Sequence, residues 1–210
     1  MLSGKYKPRI AVLVSGGGTN LQALIDAEKK GALSHGEISL VISNNSEAYA
    51  LVRANMSGIA AKIVLKKDYD GQNGFEDAII SLLDEHKIDL IVLAGFMTIL
   101  TEHFTSKYPR RIINVHPSLI PSFCGKGFYG LKVHKAALDY GVKITGATVH
   151  FVNEVPDGGE IILQKAIMIR KDETPESLQA RVMRQAEWLI LPRAAEIISK
   201  EIYKSKASAQ

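Results

Sequence analysis

The stretch "RIAVLVSGGGTNLQALIDAEKKG", residues 9–31, decides the fold. Its first part, 9–15, is apolar and β-branched, which predicts a buried strand. Three glycines follow, and Leu21 and Leu24 then recur at helical spacing, which predicts an amphipathic helix over 19–31. A strand, a glycine loop and a helix in this order begin a βαβ unit, so the sequence opens like a protein with a parallel sheet.

Strands and helices continue to alternate along the chain. Further strands are predicted over 37–43, 60–66, 88–95 and 111–115, and helices over 46–58, 74–87 and 99–107. The run 88–95 is almost wholly apolar, as in a strand that is covered on both faces. This alternation predicts an α/β fold with a doubly wound, Rossmann-like and mostly parallel sheet.

The pattern changes after Pro117. The last part of the chain predicts a glycine- and proline-punctuated loop over 119–130, a helix over 131–141 and strands over 143–152 and 160–169. These two strands are joined through "NEVPDGG" and predict an antiparallel C-terminal pair. A closing helix begins with Thr174 as N-cap and Pro175 at its first position, and we expect Pro192 to bend or split it.

The composition is that of an ordinary soluble protein. The 210 residues are 46% hydrophobic and 23% charged, with no repeat and no linker. We therefore expect a single domain over 1–210, with its core at about 9–203 and a polar tail after about 204.

Charge and cysteine content exclude several functional classes. The net charge of +4 is mild and no cluster of lysine and arginine stands out, so we expect no nucleic acid partner. No run approaches the ~20 apolar residues of a membrane helix, and the N-terminal apolar stretch is too short for a signal peptide. The single cysteine, Cys124, fits a reducing compartment. These features predict a cytoplasmic protein that is not bound to a membrane.

The glycine loop "SGGGTN", 15–20, is the first candidate site. Backbone N–H groups of glycines can approach a ligand closely, and the following helix N-terminus favours an anion, so a phosphate monoester suits the loop. The loop is neither G-x-G-x-x-G nor a Walker A motif, which argues against a dinucleotide or ATP. The alternative is a tight turn that needs glycines for its own conformation.

The second candidate is "INVHPSL", 113–119. Residues i and i+2 of a strand share a face, so Asn114 and His116 should point together at the strand end that Pro117 sets. In doubly wound sheets ligands bind at this end. An amide can donate to a developing oxyanion, and a protonated imidazole can do the same or deliver a proton. The alternative is a polar strand end that neighbouring backbone satisfies.

The third candidate is Asp157 in "VPDGGE". Asp followed by two glycines is often only a turn. A nearby carboxylate would, however, raise the pKa of His116 and favour its charged form. Asn114, His116 and Asp157 then form a constellation for acyl transfer without a protein nucleophile, so direct transfer between two bound substrates is the simplest scheme. No His, Cys or Asp cluster has the spacing of metal ligands, and we expect no metal.

Five segments in order carry a family resemblance: "AVLVSGGGTNLQALIDA", "LAGFMTIL", "NVHPSLIP", "GATVHFVNEVPDGGEIILQ" and "TPESLQARV". Together they resemble the phosphoribosylglycinamide formyltransferases, the folate-dependent enzymes of purine synthesis, from about residue 9 to 200. The resemblance implies a formyltransferase-like fold. It also implies formyl transfer from 10-formyltetrahydrofolate, as co-substrate, to the amine of glycinamide ribonucleotide, in a monomer or homodimer.

The resemblance also implies roles for single residues. The catalytic set would be Asn114, His116 and Asp157. The ribonucleotide, with its phosphate, would be held by Gly17, Gly18, Thr19, Asn20 and Glu187, although the spacing before Glu187 is one residue longer than in the family. The folate would be held by Gln72, Met97, Thr98, Ile99, Leu100, Asn114, Asn153, Glu154, Val155, Pro156 and Asp157.

Two departures and three alternatives remain from the sequence. Thr98 and Gln72 stand where many relatives have arginines that contact the benzoyl-glutamate part of the folate, and the 119–130 loop is longer than in many relatives. Formyltetrahydrofolate hydrolase and methionyl-tRNA formyltransferase share the catalytic motifs, each with a further domain. A non-catalytic phosphate-sugar binding module of the same fold is the third alternative.

Overall fold

The predicted alternation of strands and helices is present in the computed structural model, which describes residues 6–208. The strands are β1 Arg9–Val14, β2 Glu37–Ser43, β3 Ala60–Ile63, β4 Leu90–Leu93, β5 Ile112–His116, β6 Ile144–Phe151 and β7 Ile161–Met168. The helices are α1 Thr19–Lys29, α2 Tyr49–Met56, α3 Gly71–Glu85, α4 Glu102–Thr105, α5 Leu131–Tyr140, α6 Pro175–Val182 and α7 Trp188–Ser208. A short 3₁₀ helix, Lys66–Asp68, precedes α3.

All seven strands form one sheet in the order β3-β2-β1-β4-β5-β6-β7. Strands β1 to β5 pair in parallel, whereas β6 runs antiparallel to both β5 and β7. The predicted α/β class and the antiparallel C-terminal pair are therefore confirmed. The chain order reverses between β1 and β4, and a crevice at the carboxyl ends of these two strands is where such sheets bind ligands.

The sheet is covered on both faces because its strands alternate between two hydrophobic clusters. Along β1, Ile10 and Val12 pack into a cluster with α1, α6 and α7, whereas Ala11 and Leu13 pack into a cluster with α3. Phe75 of α3 is fully buried in the second cluster. Burying a side chain of this size contributes roughly 1.5–3 kcal/mol, so the two layers hold the strand ends rigidly in place.

The closing helix differs from the prediction in two ways. Its interruption is a π-helical turn at Met183–Glu187, ahead of Pro192, which lies inside α7. Pro192 removes only the hydrogen bond to the carbonyl four residues earlier, at the very start of α7. The polar segment after residue 204 is helical as far as Ser208, because α7 continues through it.

Candidate active site

A cavity of about 660 Å³ opens at the carboxyl ends of β1, β4 and β5. A smaller cavity of about 110 Å³ adjoins it under the 153–157 loop. Asn114 and Asp157 line both cavities. The junction is therefore the place where groups bound in the two cavities would meet.

The end of β5 supplies two side chains to this junction. Asn114 and His116 are two residues apart on the strand, and both line the larger cavity. The Asn114 amide nitrogen lies 3.2 Å from Nε2 of His150. The Nε2–H of His116 donates to the Phe123 carbonyl at 2.9 Å, which leaves Nδ1 facing Asp157 Oδ2 at 3.4 Å.

Asp157 lies between two histidines. Its Oδ2 faces His116, its Oδ1 is 3.6 Å from Nε2 of His150, and Oδ2 also accepts from the Gly125 amide at 2.9 Å. The residue has a φ of 57°, a left-handed conformation that Asp tolerates in turns. Burial raises the pKa of the Asp157 carboxyl, but His150, His116 and the Gly125 amide together bring it below its ordinary value. Asp157 is thus a carboxylate at neutral pH.

The charge of His116 differs from the expectation. Burial lowers the pKa of His116, and it outweighs the negative charge of Asp157 and the hydrogen bond to Phe123, which raise it. His150 lowers it further. In the ligand-free protein the imidazole is therefore neutral near neutral pH. The sequence-based expectation included the effect of Asp157 on the pKa of His116. It did not include the effect of burial, because the sequence does not show that His116 is only 4% exposed.

His150 is a site residue that sequence reasoning missed. It lies directly across the antiparallel β5–β6 pair from Asn114. Its Nδ1–H donates to the Phe151 carbonyl at 2.8 Å, so in the neutral ring Nε2 is the acceptor that faces Asn114. His150 therefore orients the Asn114 amide. His150 could have been identified only from the register of the β5–β6 pair, which cannot be read from the sequence.

The glycine loop packs tightly against α2. Gly18 has a φ of 70°, and a Cβ there would lie 2.7 Å from that of Ala50, so α2 approaches too closely for any other residue. Ala50 N–H donates to the Gly16 carbonyl, and Arg53 Nε–H donates to the Gly17 carbonyl at 2.9 Å. In a trans peptide the next N–H points the opposite way, so the amides of Gly17 and Gly18 face away from α2. Neighbouring amides on one side of a loop can bind an anion, so the predicted phosphate site is compatible with this geometry.

The π-helical turn carries Glu187 to the cavity. A π turn closes over one more residue than an α turn, and Glu187 is its last residue. Asn20 donates to Glu187 Oε2 at 2.8 Å, and both residues line the larger cavity. Burial raises the pKa of Glu187 to about 6, against the opposing effect of Asn20. The carboxylate is thus held charged at neutral pH at a cost in stability.

The predicted folate residues fall into two groups. Those that line a cavity are Met97, Thr98, Ile99, Leu100, Asn114, Asn153, Glu154, Val155, Pro156 and Asp157. Gln72 lines neither cavity: its amide donates to buried Glu76 at 2.7 Å and to the Ile99 carbonyl at 3.2 Å. Gln72 thus supports the main chain at Ile99 in the ligand-free protein, and its contact with the folate stays a prediction.

Of the remaining predicted residues, Thr19 lines the larger cavity, and Gly17 and Gly18 form the loop beside it. Within residues 6–208 no group of three or more His, Cys, Asp or Glu side chains has the geometry to hold a metal ion. Over the same range, no helix has the length and apolarity to span a membrane.

Comparisons with known proteins identify the family of this chain. The formyl transferase family model matches residues 8–195. The phosphoribosylglycinamide formyltransferase of Haemophilus influenzae is 43% identical over 184 residues, covering 88% of this chain and 84% of that protein. The human trifunctional purine biosynthetic protein adenosine-3 is 42% identical over 195 residues, but the chain spans only 19% of its length.

Solved structures give the same result. Glycinamide ribonucleotide transformylase 1 from Symbiobacterium toebii has a TM-score of 0.87 at 37% identity, with 93% of this chain and 89% of that chain covered. Phosphoribosylglycinamide formyltransferase from Brucella melitensis has a TM-score of 0.84 at 39% identity, with 92% and 96% covered. The resemblance noted in the sequence is confirmed, and the chain belongs to the formyl transferase family, among the phosphoribosylglycinamide formyltransferases.

Proposed function

We propose that this protein transfers the formyl group of 10-formyltetrahydrofolate to the amine of glycinamide ribonucleotide, giving the N-formyl product and tetrahydrofolate in purine synthesis. One observation carries the proposal. Asn114 and Asp157 line both of two adjoining cavities and His116 lines the larger one beside them, so two substrates could be held with their reacting atoms close to these three side chains. Relatives of matching length bear the name of this enzyme.

The larger cavity would hold the ribonucleotide. Its phosphate would lie against the amides of Gly17 and Gly18 and the first turn of α1, with Thr19 and Asn20. Glu187 would accept hydrogen bonds from the ribose hydroxyls. The smaller cavity would hold the pterin between the 96–100 segment and the 153–157 loop.

In the proposed reaction the substrate amine attacks the formyl carbon directly. The second N–H of the Asn114 amide, not used by His150, donates to the developing oxyanion. His116 would turn its Nε2–H from the Phe123 carbonyl to the same oxygen. Its Nδ1 would take up a proton from solvent as the oxyanion develops and return it when the oxyanion collapses, and Asp157 would stabilise the positive charge of the ring in between. A proton passes from the attacking amine to the folate nitrogen as the C–N bond breaks. Holding both reactants in attack geometry supplies much of the remaining acceleration.

Direct transfer is supported by the state of the nearby nucleophiles. Ser118 is fully buried, and its hydroxyl donates to the Ser122 carbonyl at 2.6 Å. Cys124 Sγ donates to the Pro121 carbonyl and does not line either cavity. Neither side chain is therefore placed to form a formyl-enzyme.

An absorbance assay of folate release tests the proposal. Purified protein is mixed with 10-formyltetrahydrofolate, with and without glycinamide ribonucleotide, and the deformylated folate is followed. Release that requires the ribonucleotide supports the transferase. Release without it indicates a hydrolase, and no release with retained ribonucleotide binding indicates a binding module.

The proposal also covers the domain organisation, location and partners of the protein. We expect one domain acting in the cytoplasm, as a monomer or homodimer. We expect small-molecule substrates only, with neither nucleic acid nor membrane as partner and without a metal.

Glu76 should position the folate loop. It is fully buried, and its carboxylate accepts from Gln72, from the Thr101 amide at 2.8 Å and from the Thr101 hydroxyl at 2.6 Å. Glu76→Ala leaves these donors unpaired, which costs about 1–3 kcal/mol per buried group. We expect the KM for the folate to rise about fivefold or more, which corresponds to a loss of roughly 1 kcal/mol in binding free energy. The KM for the ribonucleotide should not change.

The control is Asp77→Ala on the exposed face of the same helix, where the carboxylate pairs only with His103 and distantly with Lys107. Exposed pairs of this kind contribute little. An equal rise of both KM values in Glu76→Ala would show a general loss of structure and contradict the role in the folate loop.

Glu187→Gln should increase the stability of the fold and weaken binding of the ribonucleotide. Because burial raises the folded-state pKa of Glu187 to about 6, the cost of holding the charged form is absent well below 4.5 and fully present above about 6. The variant should therefore gain stability over the wild type as pH rises through this range, reaching about 2 kcal/mol near neutral pH. Its KM for the ribonucleotide should rise, because a neutral amide is the weaker acceptor for hydroxyl groups.

Urea unfolding of both proteins between pH 4.5 and 7.5, together with steady-state kinetics, measures both effects. Exposed Glu201→Gln on α7 is the matched control and should change neither quantity. A stability difference for Glu187→Gln that does not vary with pH would refute the assignment.

A further inference from the structure

The larger cavity is poor in positive charge for the ligands that it would take. If the proposed function holds, this cavity takes the phosphate ester, and the carboxylate tail of a folate whose pterin lies in the adjoining smaller cavity can extend into it. Asp157 and Glu187 both line it, whereas Lys126 is the one lysine or arginine among its described lining residues. Thr98, which also lines the cavity, and Gln72 behind it supply no charge.

Lys126 is held at the cavity wall. It lies between Gly125 and Gly127, whose φ values are 85° and 96°, and the Gly125 amide is bonded to Asp157. Within residues 6–208 its ammonium group forms no ion pair and no hydrogen bond, and the residue is exposed. The charge is thus available to a ligand.

The amino end of α5 adds hydrogen-bond donors beside Lys126. Its N-cap, Gly130, lines the cavity, and no side chain caps the helix. The first turn contains no acidic residue. Unsatisfied N–H groups and the helix dipole favour an anion at such an end.

His134 supplies an independent indication of a ligand here. It follows one turn into α5, lines the cavity and is only 1% exposed, yet neither ring nitrogen has a hydrogen-bond partner among the described residues. Burial, with a smaller effect of His116, lowers its pKa to about 4, so the ring is neutral and retains one N–H donor. A buried polar group without a partner requires an explanation, and a ligand or its bridging water provides one.

We propose that Lys126, the amino end of α5 and His134 form an anion subsite of the cavity. The group recognised is an anionic oxygen, of either the phosphate of the ribonucleotide or the carboxylate tail of the folate. Lys126 supplies the charge and the two other elements supply neutral donors. The subsite thereby provides a cation that Thr98 and Gln72 do not.

Steady-state kinetics of Lys126→Gln test the subsite. Charge-assisted hydrogen bonds exceed neutral ones in strength, so we expect the KM of one substrate to rise about tenfold, with kcat within about twofold. Lys126→Arg should stay near the wild type. Lys62→Gln, on the exposed β3, makes the same charge change away from the cavity and is the matched control.

The substrate whose KM rises in Lys126→Gln shows which anion the subsite binds. A higher KM for the ribonucleotide identifies its phosphate. A higher KM for the folate, with loss of any advantage of triglutamyl over monoglutamyl folate, identifies the carboxylate. Both KM values within twofold of wild type, or a change that Lys62→Gln reproduces, would overturn the subsite.

A wild-type protein without transfer activity would contradict the proposed function but not the anion subsite. Calorimetric titration of ribose 5-phosphate and of p-aminobenzoylglutamate into wild type and Lys126→Gln then tests the subsite without turnover. Weaker binding of either compound to the variant supports it, and equal binding of both refutes it.

Discussion

Replacing Asn114 with alanine is expected to lower kcat by about 10²–10³-fold while leaving both KM values within a few-fold, as for other oxyanion donors. The amide lies where the two cavities meet, and His150 fixes its orientation from the neighbouring strand. An interaction made mainly in the transition state affects kcat rather than binding. Single-turnover kinetics with both substrates saturating would measure the chemical step.

The contact with His150 gives this prediction a second test. If His150 acts by orienting Asn114, then His150→Ala should cost much less in the Asn114→Ala background than in the wild type, since residues that act as a unit are not additive. Asn55→Ala, on the exposed face of α2, is the control for a change of asparagine alone. A loss below tenfold in Asn114→Ala would remove this residue from the catalytic set.

The placement of Asn114 and His116 at the end of β5 could be predicted because it depends on local rules. A strand has a period of two, and Pro117 marks its end, so Asn114 and His116 had to share a face. The alternation of strands and helices likewise gave the fold class without any knowledge of strand order. His150 could not be found this way, because its place opposite Asn114 depends on the register of an antiparallel pair formed across 36 residues of sequence separation.

Two other features depend on the backbone rather than on the residue pattern. Glu187 was assigned to the ribonucleotide from the sequence, but the π-helical turn that ends at this residue and its hydrogen bond with Asn20 could not be predicted. Gln72 was expected at the folate, yet its amide is held by Glu76 and by the main chain at Ile99. The sequence identified the position but not the direction of its side chain.

The charge state of the site depends on a balance that motifs do not reveal. Asp157 attracts a proton to His116, whereas burial and His150 oppose it, and in the ligand-free protein the opposing effects are larger. A neutral His116 next to an ionised Asp157 can become charged during the reaction, when an oxyanion develops nearby. Asp157 would then stabilise the ring charge at the moment when it is needed.

Asp157→Asn is accordingly expected to lower kcat by about 10²–10⁴-fold, the range for positioned proton-transfer groups. The amide oxygen can still accept from the Gly125 N–H, so the loop conformation should persist. The variant loses the negative charge that raises the pKa of His116. The limb of the pH–kcat profile that reports His116 should therefore move to lower pH.

Stability gives an independent check on the same charge. The folded-state pKa of Asp157 lies below its ordinary value of 3.8, so its contribution to stability is present above that value and is lost as pH falls through the folded-state pKa. Urea unfolding should show the wild type more stable than Asp157→Asn near pH 7, with the difference shrinking in acid. Asp172→Asn is a matched control, because Asp172 also lies in a turn with a φ of 56° but is exposed and distant from both histidines. A pH-independent stability difference, together with an unshifted kcat profile, would mean that Asp157 serves only the conformation of its loop.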